Sequence, residues 1–298
     1  MIGLPLPSLR DSELWSSVRR VAMARRLRKR TRKKLRRLAE ADAVLISYPK
    51  AGRTWLVTMI SHVLHRRFGV PATQLVNFDN FHRIDPRIPK LFLTADNMLT
   101  RRTTDEEAYR LYAGKKILLL LRDPCDVAVS LYFHFARRST PVERAVFGVP
   151  DDIATVPLFR FVLDERLGLP QILAFERDWL RRLPAFPDHF LVRYENLRAR
   201  PVPNLARVVE FLGIAAPLGD IEAAVAFADF ERLKALEGAG FFETARLRPG
   251  RADDPDSFKV RRAKVGGWRD YFDPSEIAAI EQFLAAAGYG HAPPATTS

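Results

Sequence analysis

The sequence predicts an α/β fold, a single domain with a central parallel sheet flanked by helices. Short apolar runs alternate with segments of helical apolar spacing, and the first two of these runs end at a turn containing proline. One of the runs, Lys116–Leu121 (KILLLL), is apolar at every position after the first, as expected of a strand covered on both faces of a parallel sheet.

Taken in order, Ala43–Tyr48 (AVLISY) reads as the first strand and ends at Pro49, Lys50 and Gly52. The stretch from Thr54 to about Phe68 has helical spacing. Lys116–Leu121 ends at Asp123-Pro124, and a helical pattern follows from Asp126 to Arg138. His189–Tyr194 (HFLVRY) is a further strand, with a helix near 202–213 behind it. Helical patterns recur at 217–227 and 274–287. Between them the stretch 238–265 is rich in Gly, Pro, Asp and Arg, and a loop of that length is expected to act as a lid over an entrance. Ligands of parallel α/β sheets bind beyond the carboxyl ends of the strands, so the strand-end segments are where chemistry is expected.

The chain has 298 residues and a formal net charge of +13. Residues 1–37 hold 13 basic and 2 acidic residues, net +11, which leaves +2 for the rest. The basicity is thus an N-terminal appendage on a nearly neutral body. We read residues 1–40 as a basic helical arm, 41–290 as the catalytic domain and 291–298 as a tail. Residues 14–38 are expected to form a helix, apolar early and basic later, suited to peripheral contact with an anionic membrane or an acidic partner. No nucleic-acid partner is expected, because the body adds neither a basic face nor a recognition motif. A hydrophobic content of 47% excludes a disordered chain. The single cysteine, Cys125, excludes a disulfide framework and points to a reducing, cytoplasmic setting; beside Arg122 and a helix start it could have a lowered pKa, but it reads rather as a filler of the core. No apolar run approaches the roughly 20 residues needed to span a bilayer.

Tyr48-Pro49-Lys50-Ala51-Gly52-Arg53-Thr54-Trp55 lies between a strand and a helix start. Small residues admit an anion close to the backbone, and the helix N-terminus offers unpaired N–H groups and a positive dipole end. Lys50 adds a full charge. The Lys precedes the Gly, so this is not a Walker A loop. Arg122 to Ser130 form a second candidate, a guanidinium and a hydroxyl about two helical turns apart. Arg261-Arg262-Ala263-Lys264-Val265-Gly266-Gly267-Trp268 form a third. Three anion-friendly segments in one domain point to a ligand with phosphates at both ends.

Residues 48–55, 122–130 and 261–268, in that order, resemble the signature segments of the sulfotransferases that use 3′-phosphoadenosine 5′-phosphosulfate (PAPS), and the resemblance spans about residues 43–287. It implies a nucleotide-kinase-like fold around a five-stranded parallel sheet. It implies that the first loop (Lys50, Ala51, Gly52, Arg53, Thr54) grips the phosphosulfate, with Lys50 stabilising the leaving phosphate and Trp55 near the adenine. Arg122 and Ser130 would hold the 3′-phosphate with Arg261, Arg262 and Ala263, while Tyr194 and Phe230 would lie on the nucleotide side. No metal is expected. The acceptor implied is a small molecule bearing a hydroxyl or amine, a hydrophobic alcohol or phenol being compatible with the apolar residues at Phe78, Phe81, Phe133, Phe135, Phe241 and Phe242.

The sequence departs from the family pattern at Ala51, Arg53, Arg262 and Ala263. A further departure bears on catalysis: the histidine that the family places after the strand preceding the 3′-phosphate segment is Ala95 here, and alanine accepts no proton. Asp96 and His82 are the candidates for that role, unless the acceptor is acidic enough to need no base; His62, His65 and His134 are not expected to be catalytic, although His134, one helical turn beyond Ser130, could face the site. The alternatives to a working transferase are a PAPS- or PAP-binding protein of this fold with impaired catalysis and a kinase-like phosphotransferase, PAP being the desulfated product 3′-phosphoadenosine 5′-phosphate.

Overall fold

The structure, a computed structural model, describes residues 31–76, 81–96, 104–244, 247, 258–259 and 264–289. The expected roles of Arg261, Arg262, Ala263 and Phe78, the proposed lid over most of its length, the arm before residue 31 and the tail therefore lie outside the described residues. The chain divides into two compact units, Met1–Ala41 and Asp42–Ser298. Of the first, residues 31–39 form a helix, α1, with an exposed Arg36–Glu40 pair one turn apart.

The second unit is an α/β domain. Its strands are β1 (Ala43–Ser47), β2 (Leu91–Thr94), β3 (Lys116–Leu121) and β4 (His189–Arg193), in the spatial order β2-β1-β3-β4 with every pair parallel. The resemblance implied five strands; four are present among the described residues. Burial follows position in the sheet. Central β1 is buried at every residue and β3 at all but its first, whereas edge strands β2 and β4 keep partly exposed positions.

The register sets Ile46 opposite Thr94 and Leu119, and Leu121 opposite Arg193. All four strands thus finish along one edge, and the segments after them gather there. The helices are α2 (Arg53–Phe68), α3 (Asp105–Tyr112), α4 (Pro124–Arg137), α5 (Pro141–Phe147), α6 (Leu158–Val162), α7 (Leu169–Arg182), α8 (Tyr194–Ala199), α9 (Pro201–Phe211), α10 (Leu218–Phe227), α11 (Phe230–Gly238) and α12 (Pro274–Ala286). The middle of α2, from Leu56 to Leu64, is buried throughout, since the helix packs on α10 and α9 and shares the main core with residues of β1 and β3. Local chemistry starts several helices. Thr104 and Asp273 head capping boxes with Glu107 and Glu276, and Asp123 caps α4 ahead of Pro124.

Several polar or reactive groups are absorbed by this core. His62 stacks on Phe227 at 4.5 Å and burial pulls it down to about 4. Cys125 is buried, and burial with the nearby Asp123 and Asp126 pushes its thiol up, which fits a filler and not a reactive thiolate. Phe81, Phe135 and Phe242 are buried as well, Phe81 and Phe242 in the main core.

Glu176 on α7 is also buried. Burial raises its carboxyl to about 8, the Asp123 and Glu195 charges adding to the rise and Arg193 opposing it. An ordinary glutamate ionises near 4.5, so between that pH and about 8 the folded state holds a proton that the unfolded chain has released. Stability should therefore fall as pH rises through this window. Urea midpoints measured across it should decline in the native chain and decline less in Glu176→Gln; parallel curves would contradict the assignment.

Candidate nucleotide and acceptor site

The turn after β1 is the first wall of a cavity of about 520 Å³ at the carboxyl edge of the sheet. Lys50 is held at φ 75°, a left-handed conformation uncommon for a side-chain-bearing residue, and Gly52 follows at φ 94°. Gly52 occupies the N-cap of α2 without any side-chain cap, and the first turn of that 16-residue helix carries no acidic residue. The Ala51 and Trp55 N–H groups bond the Tyr48 and Gly52 carbonyls within the turn, and the positive end of the helix stands behind it, a setting that favours an anion. Lys50, Gly52, Arg53, Thr54 and Trp55 line the cavity. Ala51 does not: it is buried in the core beneath the loop.

Tyr194, at the end of β4, closes over this turn. A Cβ on Gly52 would lie 2.5 Å from the Tyr194 ring. The same ring meets Trp55 edge-on at 5.5 Å and carries the Arg122 guanidinium 4.4 Å from its centroid. Trp55 in turn donates its Nε1–H to the Ala228 carbonyl at 2.8 Å and lies under Arg198 at 5.2 Å. That bond ties α2 to the junction ahead of α11, where Asp229 caps the helix and Phe230 lines the cavity.

The second wall is the β3–α4 segment. The Arg122 side chain, 13% exposed, donates to the Lys50 carbonyl at 3.5 Å and to the Lys264 carbonyl and Asp126 Oδ2 at 3.3 Å each. Its Nε is buried without a hydrogen-bond partner among the described residues. Asp126, whose side chain is 3% exposed, also accepts from the backbone N–H groups of Gly266 and Trp268, each at 3.0 Å. One carboxylate thus pins the second segment to the third, and Arg122 joins the first to them through the Lys50 carbonyl. Ser130 lines the cavity one turn further along α4.

Beyond Ser130 the wall is formed by His134, Phe135, Arg138, Glu143 and Phe147. His134 Nε2 lies 3.0 Å from Glu143 Oε1. The residues Asp126, Arg138, Glu143, Arg198, Lys259 and Lys264 were assigned no role from sequence, yet all line the cavity. A signal for two of them was present: Arg122, Asp126, Ser130, His134 and Arg138 recur every fourth residue, the spacing of one helix face.

Asp96 and His82 are not among the lining residues. Asp96, at φ 58° after β2, is buried; its oxygens accept from the Tyr112 hydroxyl and, at 3.0 Å, from Trp179 Nε1. A carboxylate so committed, inside an aromatic cluster, is a structural acceptor. His82 lies in a single 3-10 turn, Phe81–Arg83. Among the described residues no group of three or more His, Cys, Asp or Glu side chains could hold a metal ion, and no helix is long and apolar enough to cross a membrane.

The fold and this cavity define the chain as a nucleotide-binding α/β protein with cations placed for more than one anionic group. Comparison with known proteins narrows the class: the family model for the sulfotransferase domain matches residues 40–289, so the chain belongs to the sulfotransferase family, the PAPS-dependent enzymes that the three segments resembled. It is 28% identical over 266 residues to cytosolic sulfotransferase 17 of Arabidopsis thaliana, covering 82% of this chain and 73% of that one. It is 25% identical over 260 residues to flavonol 3-sulfotransferase of Flaveria bidentis, covering 82% and 80%. In fold it is similar to mouse sulfotransferase SULT7A1 solved with PAP (TM-score 0.55, 19% identity, 85% and 88% covered). It is likewise similar to retinol dehydratase solved with retinol and PAP (TM-score 0.52, 18% identity, 83% and 81% covered).

Two substitutions test the geometry. Gly52→Ala incurs the left-handed backbone cost of about 1–2 kcal/mol and drives a methyl into Tyr194; the melting temperature should drop and PAP should bind more weakly, and unchanged binding would show that Tyr194 yields. Asp126→Asn removes the charge facing Arg122 and turns an amide toward a backbone N–H, at a cost of about 1.5–3 kcal/mol in urea unfolding. An unaltered urea midpoint there would mean that the bridge does not hold the second and third segments together.

Proposed function

We propose that this chain transfers a sulfuryl group from PAPS to a hydroxyl of a small, largely apolar acceptor. The observation that carries the reading is the pairing, in one cavity, of the uncapped α2 N-terminus beside Lys50 with the Arg122–Ser130 wall. One offers cationic and N–H contacts to the phosphosulfate, the other to the 3′-phosphate. Trp55 and Phe230 supply aromatic faces for the adenine, tied together through the Trp55–Ala228 bond. Leu131, Phe135 and Phe147 give the same cavity apolar surface for an acceptor. That relatives include flavonol sulfotransferases, and that a structure of similar fold holds retinol, supports a small apolar acceptor here too.

Sulfuryl transfer resembles phosphoryl transfer in passing through a loose, in-line transition state, so positioning and charge stabilisation do most of the work. Lys50 meets the charge that develops on the leaving phosphate. Arg122 and Ser130 fix the far end of the nucleotide, which leaves the sulfur aimed into the remaining cavity.

A second reading, a PAP-binding protein with impaired transfer, is favoured by Ala95, which stands directly after β2 where the family has histidine. The nucleotide is tested by thermal shift. PAP at a hundred times its Kd should stabilise the chain by about 2.7 kcal/mol, visible as a rise in melting temperature, while ATP with Mg²⁺ should give a smaller rise. Stabilisation by ATP-Mg²⁺ alone would sink both readings in favour of a kinase-like phosphotransferase. Turnover of labelled PAPS against a panel of alcohols and phenols separates the first reading from the second.

A further inference from the structure

We propose that His134, oriented by Glu143, removes the proton from the acceptor hydroxyl, the role that Ala95 leaves open; this deepens the sulfuryl-transfer reading and rests on it. His134 lines the same cavity as Lys50 and Ser130 and follows Ser130 by one turn of α4. Its side chain is 23% exposed, enough for an acceptor to reach and little enough to keep the ring fixed.

Glu143 is itself fixed. It is the third residue of α5, and its backbone N–H donates to the capping Thr140 hydroxyl at 3.1 Å. The bond to His134, outweighing burial, holds its carboxyl below the ordinary range, with the Lys50 charge adding to this. Glu143 is therefore ionised near neutral pH and can only accept, so the hydrogen in the 3.0 Å contact sits on His134 Nε2. That fixes the tautomer and leaves Nδ1 with a lone pair. Among the described residues Nδ1 has no hydrogen-bond partner and is not one of the buried orphan atoms.

Burial lowers the His134 pKa; Glu143 raises it, while Lys50 from the β1–α2 turn and Arg138 from the end of α4 lower it. These are the charged groups that face the ring, and the balance leaves it neutral near pH 7. Nucleophile activation by a base that a carboxylate orients is a recurring catalytic arrangement. The step balances. Nδ1 takes the hydroxyl proton as the acceptor oxygen bonds to sulfur. The bond from sulfur to the phosphate oxygen breaks, its electron pair stays on that oxygen, and Lys50 meets the charge.

The test uses the full chain, labelled PAPS and two probe acceptors: benzyl alcohol, which keeps its proton at neutral pH, and 4-nitrophenol, which is readily ionised. His134→Gln retains a donor toward Glu143. It should lower kcat with benzyl alcohol by about 10²–10⁴-fold, the usual contribution of a general base, and with 4-nitrophenol by less than about tenfold. The PAP thermal shift should be unchanged. Glu143→Gln should move the acid limb of the pH–rate profile to lower pH, because it removes the charge that raises the histidine. Equal losses with both acceptors, or no loss, with PAP binding intact, would overturn the role of His134 and leave sulfuryl transfer standing. If His134→Gln no longer binds PAP, the Glu143→Gln profile decides alone, and an unmoved acid limb overturns the proposal. A native chain that binds PAP but turns over neither probe, and does not cleave 4-nitrophenyl sulfate with PAP, would sink the transfer reading itself.

Discussion

Asp126 brings together parts of the chain that are otherwise unrelated. A buried carboxylate is costly unless every lone pair finds a donor, and here the donors are the Arg122 guanidinium and the N–H groups of Gly266 and Trp268. Segments about 140 residues apart in sequence become one wall because that charge has to be satisfied. Arg122 gains as much as it gives. With one edge of its guanidinium on Asp126 and its plane over Tyr194, it is held with Nε still uncommitted.

Tyr194 plays the complementary part on the other side. Its ring is shared by Gly52, Trp55 and Arg122, so the β1–α2 turn, the aromatic side of the cavity and the cationic wall meet at a single side chain. The left-handed turn at Lys50 and Gly52 is a strained arrangement of the kind that persists only where its surroundings over-determine it. Tyr194 above and the buried Ala51 below supply that constraint.

Much of this was legible in the sequence, for identifiable reasons. β1 and β3 occupy the centre of the sheet, so burial on both faces wrote them as unbroken apolar runs; edge strand β2, only four residues long, carries a weaker pattern. The turn after β1 was legible as a turn because Pro49, Lys50 and Gly52 stand between an apolar run and a segment of helical spacing. Asp96 could not be judged from sequence, since its commitment to Tyr112 and Trp179 comes from α3 and α7 folding over it. The contact between His134 and Glu143 depends on how the chain turns between α4 and α5, which the sequence pattern leaves open. The periodicity that placed His134 beneath Ser130 was nevertheless present.

Helix α4 also acts as a ruler. It rises about 1.5 Å per residue, and Ser130 and His134 are graduations on it, with Arg122 two residues ahead of its start, so the spacing of these side chains along the cavity wall is set mainly by a rigid rod. Inserting one residue between Ser130 and His134 would turn everything beyond it by about 100° and misalign the scale. Change in what the cavity accepts is then channelled away from the rod, onto α5 and the segments that face it, where side chains can vary without altering that spacing.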